Sequence, residues 1–359
     1  MQRGIVELLS ELPHRGSATA HEQAATDTMR RLLEDEGHLT RTQSFKSPRS
    51  YGPELLVISL CLGLGGLTGS PLLALIGLYG FYLMFSGKRR PWAALTDRYR
   101  SQNLLSSTGE GERALVLLAH LDTAKSYYPY HPRLVSRFRA TFVTNTLLAI
   151  SLLPLTVGLP ELARLIGVYF LVQAALLLVR EARAPFVNGA NDNASGVAVA
   201  TELYLDLASN LPDGWQLYLA LTGSEEVGHK GAEALLRAGD IPSGAMILNI
   251  DNVGRGELHA VEGEGMIGYI PYRGPLLQAA RNLDRPLLQY RLAYFDTLPF
   301  ARAGWPCLTL IRLEDGVPAN WHWPSDTADN LDDAALADTY AYARRLIDTV
   351  WAAERSQDA

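Results

Sequence analysis

Cysteine is scarce: only Cys61 and Cys307 occur in 359 residues, one in an apolar run and one in a predicted strand. That excludes a disulfide framework and fits a reducing compartment. No basic, aromatic-rich stripe is present and the net charge is −6, so nucleic acid is not an expected partner. The first twelve residues hold Arg3, Glu7 and Glu11 and no apolar stretch of signal-peptide length. No internal repeat or low-complexity segment is found.

Charge itself is missing from two long stretches. Residues 55–87 form 33 residues without a charge, between Glu54 and Lys88, interrupted by Gly63, Gly65, Gly66, Gly69 and Pro71. A second apolar region, 140–179, is broken by Pro160, Glu161 and Arg164. A membrane-spanning helix takes about 20 apolar residues. The second region therefore suits two crossings. The first suits two short crossings joined near 68–71, or one long tilted one. The alternative is a pair of buried hairpins in a soluble protein or an oligomer interface, although core helices rarely run this long uncharged.

Elsewhere the pattern is α/β. Residues 114–119, 216–222, 245–250 and 306–311 read as strands, the first as the continuous apolar run of a buried one. Residues 1–37, 194–207, 230–238, 275–283 and 332–353 read as helices, and 38–50 and 101–113 as extended segments with turns. The expected fold is a mixed, mostly parallel central sheet flanked by helices, with inserted apolar hairpins. We expect a body made of 1–50, 96–125 and 186–359, with insertions at 51–95 and 126–185.

Five segments carry metal-ligand chemistry, nearly all after strands or in loops, where ligands gather in open α/β sheets. They are His120-Leu121-Asp122, Asn191-Asp192-Asn193, Ser224-Glu225-Glu226, Ile250-Asp251-Asn252 and Trp321-His322-Trp323. Each has a plain reading alone. His120 could simply end a strand, and Asp192 precedes a helix and could cap it. Glu225-Glu226 could be an exposed acidic pair, Asp251 a turn residue and His322 a packed surface histidine. Together they offer two histidines and three carboxylates, nitrogen-plus-oxygen ligation that suits zinc, with manganese or cobalt as substitutes. Of two adjacent glutamates, one can bind metal while the other serves a metal-bound water as general base. His229, just beyond these glutamates, reads either as a substrate contact or, more plainly, as a solvent-facing helix start.

This ordered set resembles the di-zinc aminopeptidases of the bacterial leucyl aminopeptidase type, the clan MH metallopeptidases. The resemblance covers about 1–50, 100–125 and 186–355. It includes Tyr294-Phe295-Asp296-Thr297-Leu298, with Phe295 where serine is usual. It implies that His120 and Asp251 hold one zinc, Glu226 and His322 the other, and that Asp192 bridges them. It further implies Glu225 as general base, Asp122 as the group orienting His120, and a cis peptide after Asp192. The implied function is a metallo-aminopeptidase acting on peptides. Alternatives on the same scaffold are a carboxypeptidase, a glutaminyl cyclase-like enzyme, or an inactive membrane scaffold that would have lost its ligands.

Position constrains the insertions. His120 and Asp192 must share one site, so the second insertion leaves and returns, crossing a bilayer an even number of times. Lys46, Arg49, Lys88, Arg89, Arg90, Arg133, Arg137, Arg139, Arg180 and Arg183 flank the apolar stretches, whereas the far turns hold only Glu161 and Arg164. The positive-inside rule then places the peptidase body in the cytoplasm, as a multi-pass membrane protein contacting the bilayer through 55–87 and 140–179. An oligomer is compatible with this arrangement.

Overall fold

The computed structural model describes residues 1–88 and 91–358, with the side chains of 94 and 356–358 not described. Arg89 and Arg90, used above for charge placement, lie outside the described residues.

The chain opens with α1 (Gln2–Ser10) and α2 (Ala20–Asp35). One helical stretch was expected over 1–37. It is broken because Thr19 caps α2, its side chain accepting from the Glu22 N–H. β1 (Thr40–Ser47) follows, then α3 (Gly52–Thr68) and α4 (Pro71–Phe85). The first apolar region is therefore two short helices. Ser70 caps α4 and Pro71 occupies its first turn, where a missing N–H is harmless. A short α5 (Ala93–Thr96) leads to β2 (Tyr99–Thr108) and β3 (Arg113–His120). The second apolar region is α6 (Phe138–Gly158) and α7 (Pro160–Arg183), with Pro160 opening α7. Next come α8 (Gly196–Ala208), β4 (Trp215–Thr222), α9 (Lys230–Ala238) and β5 (Met246–Ile250). The chain closes with β6 (Glu257–Glu264), β7 (Ile270–Pro271), α10 (Pro275–Arg281), β8 (Leu287–Tyr290), α11 (Leu298–Arg302), β9 (Cys307–Leu313) and α12 (Asp333–Asp358).

The strands form one mixed sheet in the order β1-β2-β4-β3-β5-β9-β6-β7, with β8 also on β6. Its centre, β4-β3-β5-β9, is parallel, and β1-β2, β2-β4, β6-β9 and β6-β7 pair antiparallel. Register places His120 opposite Thr222, so β3 and β4 end at the same level. β3 and β9 are buried along nearly their whole length, which is why residues 114–119 of β3 read as an unbroken apolar run.

Two hydrophobic cores result. One lies around the sheet and joins α1, α2, α8, α9, α10 and α12. The other lies among α3, α4, α6 and α7 and includes Ile58, Leu62, Phe81, Phe142, Leu152 and Phe170, with Met266, Tyr294 and Leu298 from the body at its base. The helix crossing of α3 on α7 depends on small residues. A Cβ on Gly66 would stand 2.5 Å from the Ala163 carbonyl oxygen and 2.8 Å from Gly167 Cα.

Outward residues of this bundle are apolar: Leu72 is 65% exposed, Leu147 63%, Leu165 69% and Val157 78%. α6 and α7 are long and apolar enough to cross a membrane; α3 and α4 are shorter. The bundle base is tied to the body through the end of α4. Tyr294 Oη donates to the Phe85 carbonyl at 2.9 Å, and Arg302 donates to the carbonyls of Ser86 and Gly87. These satisfy acceptors that a helix end leaves unpaired.

Candidate metal centre

Three of the site segments are placed by parallel strands. β3 ends on His120, the turn after β4 carries Glu225 and Glu226, and β5 delivers Asp251. Asp192 comes from the loop before α8, whose asparagines fasten it to the end of β5. Asn193 Nδ2 donates to the Ile250 carbonyl at 3.0 Å, and Asn193 Oδ1 accepts from Asn252 N at 3.1 Å. Gly196 is required at the start of α8, because a Cβ there would stand 2.2 Å from the Ile250 carbonyl oxygen. The Asp192–Asn193 peptide is cis.

The sequence-predicted ligands meet. Asp192 divides its two oxygens between the histidines: His120 Nε2 lies 3.2 Å from Oδ1, and His322 Nε2 lies 3.1 Å from Oδ2. Asp251 Oδ1 is 3.7 Å from His120 Nε2, and Glu226 Oε2 is 3.0 Å from His322 Nε2. Ligand atoms of His120, Asp192 and Glu226 all lie within 4.8 Å of one another. All five side chains are nearly excluded from solvent.

Buried carboxylates need compensation. Burial pushes Glu225 well above the usual carboxylate range, with Glu226, Asp251 and Asp122 adding to it against the pull of His120. Burial also raises Glu226. Asp192 goes the other way. Its burial is outweighed by hydrogen bonds from His120 and His322, which hold it low. Burial opposes charge on both imidazoles, yet the surrounding carboxylates raise both well above the ordinary histidine value. Among the described residues, Glu226 Oε1 and His322 Nδ1 are buried without a hydrogen-bond partner. A cluster of anionic oxygens, imidazole nitrogens and unpartnered acceptors fits divalent cations better than it fits a structural core.

Asp122 does more than face His120. Its carboxylate accepts from Glu225 N at 2.9 Å, Glu226 N at 3.2 Å and Ser17 Oγ at 2.6 Å. His120 Nδ1 lies nearer the Asp122 carbonyl, at 3.1 Å, than its carboxylate, at 3.6 Å. Asp326 accepts from Asn191 N at 2.6 Å and Asp192 N at 3.1 Å, and burial pushes it up to about 7. Nothing in the sequence around Asp326 separates it from an ordinary loop aspartate. His229 is not solvent-facing. It adopts φ 56° and sets Nε2 3.3 Å from Glu225 Oε1. Its only sequence signal was its place beside Glu225-Glu226.

In the Phe295 loop, Asp296 is buried, pushed up to about 8 by that burial, and accepts from the Thr222 hydroxyl. The aromatic neighbours of His322 are supplied by the segment leading to α6. Tyr130 meets the His322 ring edge-on at 4.5 Å and the Trp321 ring at 4.9 Å. Above the cluster lies a cavity of about 1170 Å³ that extends from these residues to the base of the helical bundle.

Comparison with known proteins agrees with the fold. A family model described as Peptidase family M28 matches residues 103–347. No curated protein matches the chain. Among solved structures, the Bacillus subtilis zinc aminopeptidase BSAP is 14% identical, with 97% of this chain and 93% of that chain covered and a TM-score of 0.59. The Legionella pneumophila LapA aminopeptidase is 13% identical over 97% of this chain and 69% of that one, with a TM-score of 0.57. The Bacteroides thetaiotaomicron glutaminyl cyclase bound to N-acetylhistamine is 13% identical over 97% and 95%, with a TM-score of 0.57.

Proposed function

Because the chain belongs to peptidase family M28, we propose that it is a zinc-dependent aminopeptidase that removes N-terminal residues from peptides. The observation that carries this reading is the division of the Asp192 carboxylate between His120 and His322. His120 and Asp251 would hold one zinc, Glu226 and His322 the other, with Asp192 shared. Bound zinc supplies Lewis acidity toward a peptide carbonyl and lowers the pKa of water.

The protein's own residues account for the proton traffic. Glu225 takes a proton from the attacking water and returns it to the leaving amine. Burial raises its proton affinity, which suits a group that takes a proton from water. Asp122 fixes the Glu225 and Glu226 backbone, so the general base and the ligand beside it are aimed in different directions from one turn. His229, against the Glu225 carboxylate, is placed to share its proton. Replacing Glu225 with Gln keeps the shape and removes the base. Glu225→Gln should retain metal and lose about 10²–10⁴-fold in kcat. Unchanged turnover in that variant, with metal content measured in the same sample, overturns the assignment.

A glutaminyl cyclase on the same fold makes a cyclising reaction the second reading. Peptides with N-terminal glutamine separate the two, since cyclisation releases ammonia and leaves the peptide chain intact. The inactive-scaffold reading is disfavoured by Glu225 and all five ligand-type residues standing at the cluster.

We further propose that α3, α4, α6 and α7 form a membrane anchor beneath which the peptidase body faces the cytoplasm. Support comes from the apolar outer face and the length of α6 and α7. The hairpin tips share one end of the bundle, where a Cβ at Gly69 would stand 3.9 Å from the Thr156 carbonyl oxygen. Basic residues gather at the opposite end, where the body is attached. The lengths of α3 and α4 fall short of the hydrocarbon core, a mismatch that local thinning or flanking side chains can absorb.

A further inference from the structure

The cavity over the cluster is built from two sources. Its floor is His120, Asp192, Glu225, Glu226, Asp251 and His322. Its far wall comes from the helical bundle: Phe81, Met84 and Phe85 at the end of α4, and Phe138 and Phe142 at the start of α6. At about 1170 Å³ it exceeds the roughly 300–1,000 Å³ of ordinary small-molecule sites. A single amino-acid side chain would leave most of it empty.

The same cavity reaches Asn145 and Gln173, which lie well inside α6 and α7. Asn145 Oδ1 accepts from Tyr169 Oη at 2.7 Å and from Gln173 Nε2 at 3.5 Å, and Gln173 Oε1 accepts from Ser59 Oγ at 3.4 Å. Polar side chains at such depth are costly unless they line a cavity that holds water or a polar ligand. The outer surface nearby carries the apolar Leu147, Ile150, Val172 and Leu176, together with Tyr169, which is 40% exposed and makes its hydrogen bond to Asn145 at that surface.

We propose that this chamber is the binding site for an apolar peptide segment of several residues, taken from the membrane and hydrolysed at its end beside Glu225. The aromatic and Met wall receives the side chains, and the Asn145–Gln173 pair supplies amide groups for the backbone. The inference rests on the exopeptidase reading and deepens it by naming the substrate class. The chamber is continuous with the metal cluster and walled by the helices whose outer faces are apolar. A bilayer-derived peptide is therefore the occupant that both observations share.

The test uses the full chain, zinc-loaded, in phosphatidylcholine–phosphatidylglycerol nanodiscs. Two heptapeptides share an N-terminal Leu and total charge. One continues with Phe and Leu, the other with Ser and Gly. Free peptide is corrected for partition into empty nanodiscs. The apolar peptide should show at least a tenfold higher kcat/KM, and at least tenfold tighter binding to the zinc-loaded Glu225→Gln protein by fluorescence anisotropy. Met84→Glu should shrink both ratios. Equal kcat/KM and equal binding overturn the inference, while cleavage of both peptides leaves the exopeptidase reading standing. Cleavage of neither overturns that reading, and the binding ratio then decides the chamber's ligand on its own. Co-purifying phospholipid that neither peptide displaces would make the chamber a lipid site and overturn the inference as well.

Discussion

Arg15 is a fully buried cation, outside the lining of the cavity, that holds the site's frame. Nε donates to the Leu121 carbonyl at 2.8 Å, and the two terminal nitrogens donate to the carbonyls of Asn188 and Gly189, each at 2.7 Å. One guanidinium thus joins the chain just after His120 to the chain just before Asp192. Burial pushes it down to about 10, while Asp326, Asp122 and Asp192 favour its charge. Arg15→Met should lower stability by about 3–5 kcal/mol, because it leaves buried acceptors and carboxylates uncompensated. Chemical denaturation measures this; a change below about 1 kcal/mol would remove Arg15 from that role. Glu264 gives a pH signature of its own. It is buried, accepts from Tyr272 Oη at 2.7 Å and Phe295 N at 2.5 Å, and burial pushes it up to about 7. Its folded state therefore holds a proton that the unfolded chain has released above about pH 4.5. Stability from this group is full at low pH and is lost as pH rises toward 7. Glu264→Gln should gain thermal stability relative to the native protein from pH 5 to 7 and no more beyond; a difference independent of pH would contradict this. The ligand-type residues were legible because five motifs in order constrain one another. Arg15, Asp326 and His229 were not, since each works through a backbone atom or a neighbouring carboxylate that only the fold brings near.

At the scale of elements, the crossing of α3 on α7 is where packing is tightest. Gly66 and Gly167 face each other, and a Cβ on Gly167 would stand 2.6 Å from Leu67 N. Neither contact is with a side chain that could swing aside. Gly66→Val should separate the helices and lower thermal stability in detergent by several degrees, while Gly4→Ala, with nothing within 4 Å of its Cβ, should not. Equal melting temperatures for the two variants would show that the crossing tolerates a side chain. The glycines of the first apolar region read in sequence as interruptions. In the structure the chain turns at Gly69–Ser70, and Gly63, Gly65 and Gly66 lie inside α3 as contact points. Of the central strands, β3 was legible as an unbroken apolar run, and β4, β5 and β9 as further, mainly apolar strands. β6, β7 and β8 were not, because β7 has two residues, β8 has four, and Gly263 breaks the register of β6 against β8. Edge strands of that length carry too few residues to show a period of two.

For the whole molecule, the two hydrophobic cores have opposite surroundings. The core around the sheet is wrapped by half-polar helices, whereas the bundle turns leucines and valines outward. An apolar belt of that extent marks a surface that meets either lipid or another protein, and the proposed anchor is tested on that choice. The full chain should sediment with membranes, resist carbonate extraction and require detergent to be monodisperse. A monodisperse soluble protein without detergent would make the belt an oligomer interface instead. Protease added to sealed, right-side-out cells should leave the body intact if it faces the cytoplasm. The helical bundle also lines the cavity over the metal-type cluster. The most direct test of the central claim is hydrolysis by the full chain in nanodiscs, across free and N-acetylated peptides, with chelator and then with zinc restored. The account predicts cleavage of the free peptides alone, abolished by chelator and recovered with zinc. Chelator-insensitive hydrolysis, or equal cleavage of the acetylated peptides, would contradict it.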